Sequence, residues 1–283
     1  MNLITIFCLI ILATSKVTLQ GVYARKYISD LSGSVYFNGI IFLFSSLIFI
    51  HSLKCSLTTV LFGFAFGILT VLFQLCYIQA MSAGNVSFTV LTVNSSMILP
   101  ILFSAIFFDE TFEQLRVFGI LTIAFSLVLS AEKSFKKAKR KWFCLSACAF
   151  LFNGCLSICQ QIFGKSAYKD EAAAFVAYSY VFAAIISFML YFTLKLKKKR
   201  KAFKPSRSTV IYGMSAGIVL GIFQLVNTRA ISTIDAGLLF PVYNGGTLIM
   251  SALTGVLLFK DTLKPKQILS VIVGIFGIVL INL

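Results

Sequence analysis

The sequence predicts an all-α integral membrane protein with ten transmembrane helices, arranged as two inverted five-helix repeats. Three observations support this fold class. Hydrophobic residues make up 59% of the 283 residues and charged residues only 12%, whereas about a quarter of a soluble domain is charged. The chain is divided into about ten apolar runs, each near the roughly 20 residues that cross a bilayer. The third observation is an internal repeat.

The ten predicted spans follow one another along the whole chain. They cover residues 3–24, 33–50, 58–80, 86–108, 113–130, 142–164, 172–194, 209–230, 235–259 and 265–282. Because the loops between them are short, we expect consecutive helices to be antiparallel neighbours. The first run has no basic residue before Lys16 and no clear cleavage site, so we interpret it as an uncleaved span rather than a signal peptide.

An offset of 150 residues superimposes residues 61–108 on residues 211–258. The pairs in register are Gly63 and Gly213, Gly67 and Gly217, Phe73-Gln74-Leu75 and Phe223-Gln224-Leu225, and Asn94 and Asn244. Each copy holds five spans, so the second must cross the membrane in the opposite sense. We therefore expect a first repeat at 1–131, a basic connecting loop at 132–141 and a second repeat at 142–283. Inverted repeats are frequent in secondary transporters, whose substrate site lies near the midplane.

Glycines spaced four residues apart predict where helices approach closely. Gly63 and Gly67 open the third span, and Gly213, Gly217 and Gly221 run along the eighth. Small residues at this spacing let two backbones come together. Because both copies carry the pattern, we expect close helix contacts at equivalent places in the two repeats.

The net charge of +16 comes largely from two short runs, at 132–141 and 195–207. We interpret both runs as cytoplasmic loops that touch anionic lipid head groups. Neither run has a folded domain to hold base-reading side chains, so no nucleic-acid partner is predicted. The distribution of Lys and Arg among the loops also predicts that both termini lie outside the cell.

Polar side chains within the apolar spans are the candidate substrate site, because polar groups in lipid are costly unless they face protein or water. The predicted substrate-binding residues are Lys16, Gln20, Gln74, Asn94, Asn153, Gln160, Gln224, Tyr243 and Asn244. An amide offers donors and an acceptor without a full charge. A cavity lined by amides can therefore hold a polar, uncharged or zwitterionic solute and release it. The alternative for each amide is an interhelical hydrogen bond.

Lys16 is the only charge well inside the first span. Two interpretations stay open: the side chain extends to the near interface, or it faces the cavity and attracts a carboxylate or phosphate. No Asp or Glu lies in the middle of a predicted span, so a carboxylate proton relay is not predicted. The sequence contains no metal-ligand cluster, nucleophile elbow or phosphate-binding glycine loop. It therefore predicts no enzyme, no catalytic residue, no cofactor and no metal site.

Two segments share an order of features, namely a helix end rich in small residues, a helix with polar residues and a proline, an acidic end and a closing helix with glycine. They are AMSAGNVSFTVLTVNSSMILPILFSAIFFDETFEQLRVFGI at 80–120 and AISTIDAGLLFPVYNGGTLIMSALTGVLLFKDTLKPKQILSVIVGIFGIVL at 230–280. The acidic ends are Glu110-Thr111 and Asp261-Thr262, and Thr111 with Gln114 fits a capping box. The pattern resembles the drug/metabolite transporter superfamily, in its ten-span EamA-like branch. The resemblance implies a central cavity framed by the first, third, fourth, sixth, eighth and ninth spans.

The resemblance implies cytoplasmic termini, whereas the charge distribution favours termini outside, so both orientations stay open. We expect a permease that moves a small polar organic metabolite by alternating access. The alternatives are a multidrug or toxic-compound exporter of the same fold and a membrane scaffold that transports nothing. The expected partners are a small-molecule substrate and the lipid bilayer, with a homodimer left open. The expected location is the cell membrane, which the chain crosses several times; this would be the inner membrane of a bacterium.

Overall fold

The computed structural model describes most of the chain. The described residues are 2–27, 31–49, 51, 55–84, 86–108, 113–131, 140–198, 205–234, 236–259 and 265–282. Most of the predicted basic loop at 132–141 lies outside these ranges, as do the acidic pairs at 110–111 and 261–262 and part of the second basic run. In the described ranges all regular secondary structure is helical.

Eleven α-helices make up this described part of the chain. Their bounds are α1 Asn2–Tyr27, α2 Leu31–Leu47, α3 Leu57–Ala83, α4 Val86–Asn94, α5 Ile98–Phe107, α6 Gln114–Ala131, α7 Arg140–Gly164, α8 Ala172–Lys198, α9 Arg207–Thr233, α10 Ala236–Phe259 and α11 Pro265–Asn282. Five candidate spans, in α1, α3, α7, α8 and α9, are long and apolar enough to cross a membrane by length and composition. Shorter apolar helices accompany them at 31–47, 92–107, 242–258 and 268–277.

The α-helix of the fourth predicted span is interrupted by one 3-10 turn, which we call the break, and the backbone stays right-handed helical through it. Pro100 explains this interruption. A 3-10 turn at Ser95–Met97 separates α4 from α5. Pro100 has no N–H to donate to the Ser96 carbonyl four residues earlier, and its ring crowds that carbonyl. The equivalent position of the second copy is Met250, and α10 continues through it without interruption. The fourth predicted span therefore contains a 3-10 turn, whereas the ninth is α-helical throughout α10.

The glycine motifs hold two pairs of helices in close contact, which confirms the expectation from their spacing. A β-carbon built on Gly67 of α3 would lie 2.8 Å from the backbone oxygen of Ser179 in α8. One built on Gly217 of α9 would lie 2.6 Å from the backbone oxygen of Ile41 in α2. In the second pair, the Ser45 hydroxyl donates to the Gly217 carbonyl at 2.8 Å. Any larger residue at either glycine would push two backbones apart.

We call the two predicted repeats, 1–131 and 142–283, the copies. The helix contacts form a pattern that is preserved when these copies are exchanged. α2 packs on α9, and α3 packs on α8. Likewise, α1 packs on α9 and α10, while α7 packs on α3 and on both α4 and α5. Two further contacts, between α2 and α8 and between α6 and α11, join equivalent helices. Each copy therefore packs mainly against the other, and the interface between the copies contains much of the core.

Candidate functional site

A buried cavity lies near the middle of the long helices, where three of them turn a polar face inward. On α3 the lining positions are 66, 70, 73 and 74, on α7 they are 153, 156, 157 and 160, and on α9 they are 220, 223, 224 and 227. Spacings of three, four and seven residues place side chains on one face of a helix. The cavity has a volume of about 80 Å³, which is room for several waters.

The residues that line this central cavity come from seven helices. They are Lys16, Phe42, Phe66, Thr70, Phe73, Gln74, Asn153, Leu156, Ser157, Gln160, Tyr180, Leu220, Phe223, Gln224, Asn227 and Tyr243. Six of the nine predicted substrate-binding residues are in this set. The structure therefore brings Lys16, Gln74, Gln160 and Gln224 together with Asn153 and Tyr243. Whether they bind substrate stays a prediction.

The repeated glutamines occupy equivalent places in the cavity wall. Gln74 of α3 is 3% exposed and Gln224 of α9 is 6% exposed. The side-chain nitrogen of each has no hydrogen-bond partner among the described residues, and the same is true of the Gln160 nitrogen. Nearby, the Thr70 hydroxyl and the Asn227 side-chain oxygen also lack partners there. Because a buried polar group without a partner is unfavourable, a group that enters the cavity would satisfy several at once.

Lys16 carries the only full charge among the described residues that line the cavity. It lies in the middle of α1, and its Nζ is 5.3 Å from the centre of the Phe223 ring. The sequence left two interpretations open for this side chain, and in the structure it faces the cavity. A cation over an aromatic face gains part of the stabilisation that it would lose on leaving water.

The remaining predicted site residues lie outside the cavity lining. Asn94 donates from its side-chain nitrogen to the backbone oxygen of Asn244 at 3.3 Å, so this repeated pair joins α4 to α10. Gln20 is fully buried, and neither of its side-chain polar atoms has a partner among the described residues. Asn153 lines the cavity and also donates to the Ser96 hydroxyl at 2.7 Å. Asn153 thus also helps to hold the break between α4 and α5.

Sequence reasoning missed several members of the cavity wall. The second and seventh predicted spans were not expected to contribute, yet α2 supplies Phe42 and α8 supplies Tyr180. The two rings stack at 6.0 Å between centroids and 13° between planes. Phe73 and Phe223 were visible in the repeated triplet, but aromatic residues in a membrane helix give no signal that separates cavity from lipid. No described residue of α4 is in the lining, and α4 packs against α7 and α10.

A second and larger cavity opens beside the first. This vestibule has a volume of about 230 Å³ and lies between the end of α7, the start of α8 and the end of α9. Gln160 lines both the vestibule and the central cavity. The charged residues of the vestibule wall are Lys169, Asp170 and Arg229. The vestibule and the central cavity therefore lie on either side of Gln160.

Two aromatic clusters lie at opposite ends of the bundle. We call them the α1-end cluster (Tyr23, Phe37 and Tyr212), near the C-terminal end of α1, and the α7-end cluster (Phe163, Phe175 and Phe62), near the C-terminal end of α7. Tyr23 stacks on Phe37 at 3.9 Å and contacts Tyr212 at 5.9 Å. The second cluster repeats this arrangement, since Phe163 stacks on Phe175 at 4.3 Å and contacts Phe62 at 5.7 Å. Exchange of the two copies therefore relates the two clusters.

Polar contacts hold these ends, and they differ between the copies. At the start of α3, the Glu171 carboxylate accepts hydrogen bonds from the Ser56 backbone at 3.0 Å, from the Ser56 hydroxyl at 2.9 Å and from the Thr59 hydroxyl. At the start of α9, the Tyr23 hydroxyl donates to Thr209 at 2.8 Å. The Glu171 carboxylate therefore joins the segment before α8 to the start of α3. The Tyr23 phenol joins α1 to the start of α9.

Many secondary transporters are helical bundles built from two repeats, with the substrate site where the repeats meet. The profile of the EamA-like transporter family matches residues 140–283, just over half of the chain. The chain therefore belongs to the EamA-like transporter family, within the drug/metabolite transporter superfamily. It is a multi-pass membrane protein, and the family is a family of transporters.

A solved crystal structure shares the fold of nearly the whole chain. It aligns with a TM-score of 0.73 over 99% of this chain and 96% of the other, at 14% sequence identity. At that identity the likeness concerns the fold alone. No curated protein matches the chain significantly.

Proposed function

We propose that this chain is a ten-span permease, built as two inverted repeats, that moves a small polar organic metabolite across the cell membrane by alternating access. The observation that carries the proposal is the central cavity, whose wall combines equivalent residues of both copies with unpartnered amides. A stable core has its polar groups paired. Amide atoms without a partner in the described part of the chain, around a space for several waters, suit a ligand that comes and goes.

The two aromatic clusters supply the gates in this proposal. In inverted-repeat transporters one half rocks against the other around a fixed site. The α1-end cluster joins α1, α2 and α9, and the α7-end cluster joins α7, α8 and α3. Both clusters therefore bridge the two copies, so rocking would loosen one while it tightens the other. In this proposal the vestibule beside the α7-end cluster is the approach to the site from that end.

The size of the central cavity favours a metabolite over a drug. Drug-sized ligands occupy pockets of roughly 300–1,000 Å³, and this cavity measures about 80 Å³. A multidrug exporter would need a much larger space for its substrates. The unpartnered polar atoms in the wall also suit a polar solute better than an apolar one.

Transport by the purified protein in liposomes tests the proposal directly. Liposomes loaded with a mixture of unlabelled metabolites would be given labelled ones outside, so that exchange reports passage through the protein. We expect saturable exchange of at least one small polar metabolite, absent from liposomes without protein. Failure of a monodisperse, folded protein to move any member of a broad metabolite library, combined with capture of a partner protein, would favour the scaffold instead.

A further inference from the structure

We propose that the solute is a small organic acid, whose carboxylate binds Lys16 between Gln74 and Gln224. This inference rests on the proposed function and adds the substrate class. Its starting point is the uncompensated charge in the cavity. Lys16 has no carboxylate beside it among the described lining residues, and the Phe223 ring lies 5.3 Å from its Nζ. A buried charge is unfavourable unless it is paired, so a cavity lined by this charge favours entry of a negative group.

The amide side chains in the cavity wall also favour a negatively charged group. The side-chain nitrogens of Gln74, Gln160 and Gln224 are buried and lack partners within the described structure. A primary amide nitrogen donates two hydrogen bonds and an ammonium three, while an ionised carboxylate only accepts, through two oxygens. The donors of the wall therefore match a carboxylate, and hydrogen bonds between charged and polar groups are stronger than those between neutral groups.

The wall is less suited to the other classes of polar solute. An ammonium on the solute would face Lys16, and no acid lines the described part of the cavity to pair with it. Two unpartnered oxygens, on Thr70 and Asn227, are available as acceptors, which suits a hydroxyl on a short acid. The volume of about 80 Å³ restricts the carbon skeleton to a few atoms.

The wall of the vestibule, like that of the central cavity, contains cationic side chains. Its described wall contains Lys169 and Arg229 as well as Asp170, and Gln160 lines both the vestibule and the central cavity. Cations in the wall of a recess attract anions to it. An anion would thus pass from the cations of the vestibule to Lys16, with Gln160 between them.

Matched ligands of equal size test the charge preference. The panel consists of acetate, L-lactate, pyruvate and isobutyrate, with acetamide, L-lactamide and isobutyramide as neutral counterparts and L-alanine as the zwitterion of the lactate skeleton. Binding to the purified protein would be measured by thermal stabilisation and calorimetry, and inorganic phosphate would be included as a second oxyanion. We expect at least one acid to bind at least tenfold more tightly than its amide and than alanine.

Three variants locate the effect. Lys16→Gln should weaken binding of that acid at least tenfold, and Lys16→Arg should keep it within a few-fold. Lys26→Gln removes a charge from the exposed end of the same helix, where Lys26 lies 5.4 Å from the Tyr27 ring, and should bind as the unchanged protein does. Size-exclusion profiles that match the unchanged protein would establish that each variant is folded.

Several results would overturn the inference. They are equal or tighter binding of an amide or of alanine, binding of phosphate with no binding of any acid, unchanged acid binding in Lys16→Gln, or no binding of any acid in the panel. If the liposome library then shows exchange of an uncharged or cationic metabolite, the permease stands and only the anionic substrate is lost. If nothing is exchanged, both proposals fail.

Discussion

At the scale of residues, the repeated glutamine is the feature that links sequence to site. Gln74 and Gln224 appear in the sequence as an amide kept twice in an apolar run, and the structure places both in one cavity wall. The repeated asparagine looked equivalent, yet Asn94 bonds to the backbone of Asn244. Sequence register identifies equivalent positions, but it does not say whether an amide faces a space or a backbone oxygen.

The two cavity glutamines can be tested together. A bound ligand at 100 times its dissociation constant stabilises a protein by about 2.7 kcal/mol. We expect the double variant Gln74→Ala/Gln224→Ala to lose most of this stabilisation, because the amides contact the solute. Gln79→Ala is the matched control: Gln79 lies on the same helix, donates to Ser34 at 2.7 Å and is not in the cavity lining.

Thermal unfolding with and without the metabolite found in the liposome screen gives the measurement. The control should unfold at a lower temperature but keep its ligand-induced shift. A full ligand shift in the double variant would mean that the two amides serve helix packing and not the solute.

At the scale of elements, close helix contacts were predictable and the helix break was not. The four-residue glycine spacing signals contact because only a missing side chain lets backbones approach this closely. The break at residues 95–97 follows from Pro100, but a proline in a membrane helix can produce a kink, a break or neither, since neighbouring groups supply new partners. Here Asn153 of α7 is such a neighbour, with its nitrogen 3.4 Å from the Val93 carbonyl.

Gly217→Ala should destabilise the protein. The added carbon would lie 2.6 Å from a backbone oxygen, and a backbone cannot turn aside as a side chain does, so α2 and α9 must separate. We expect a loss of about 1–3 kcal/mol, typical of overpacking. Gly164→Ala is the control, because its nearest new contact is an ordinary 3.6 Å from Ile231.

Thermal unfolding of the two glycine variants in the same detergent compares them. Equal stability of Gly217→Ala and the unchanged protein would show that the backbones of α2 and α9 are farther apart than they are in the structure.

At the scale of the whole molecule, an all-helical membrane protein could be predicted, because apolar runs follow one another along the chain. The ten spans and the inverted repeats stay predictions. The cavity itself needed the three-dimensional arrangement. Phe42 and Tyr180 come from outside the repeat register at 61–108 and 211–258, and they meet only because α2 packs on α8. Contacts between the copies are long-range in sequence, so local patterns do not encode them.

The paired clusters predict reciprocal access. In a variant without the native cysteines, Tyr23→Cys and Phe163→Cys would each report on one end of the bundle. We expect the bound solute to change the rates of alkylation by a membrane-impermeant maleimide in opposite directions, because opening of one cluster closes the other. Labelling that changes in the same direction at both ends would contradict alternating access.

Trp142 is the only tryptophan of the chain, and it lies where the copies meet. Its indole is 8% exposed, and its N–H donates to the Thr89 hydroxyl of the other copy at 3.0 Å. Excitation at the long-wavelength edge of the indole band, where the ten tyrosines absorb little, therefore reads a single emitter. Trp142 is thus an intrinsic fluorescence probe, and no attached dye is needed. A shift in its emission wavelength on addition of a solute would report when the two halves move.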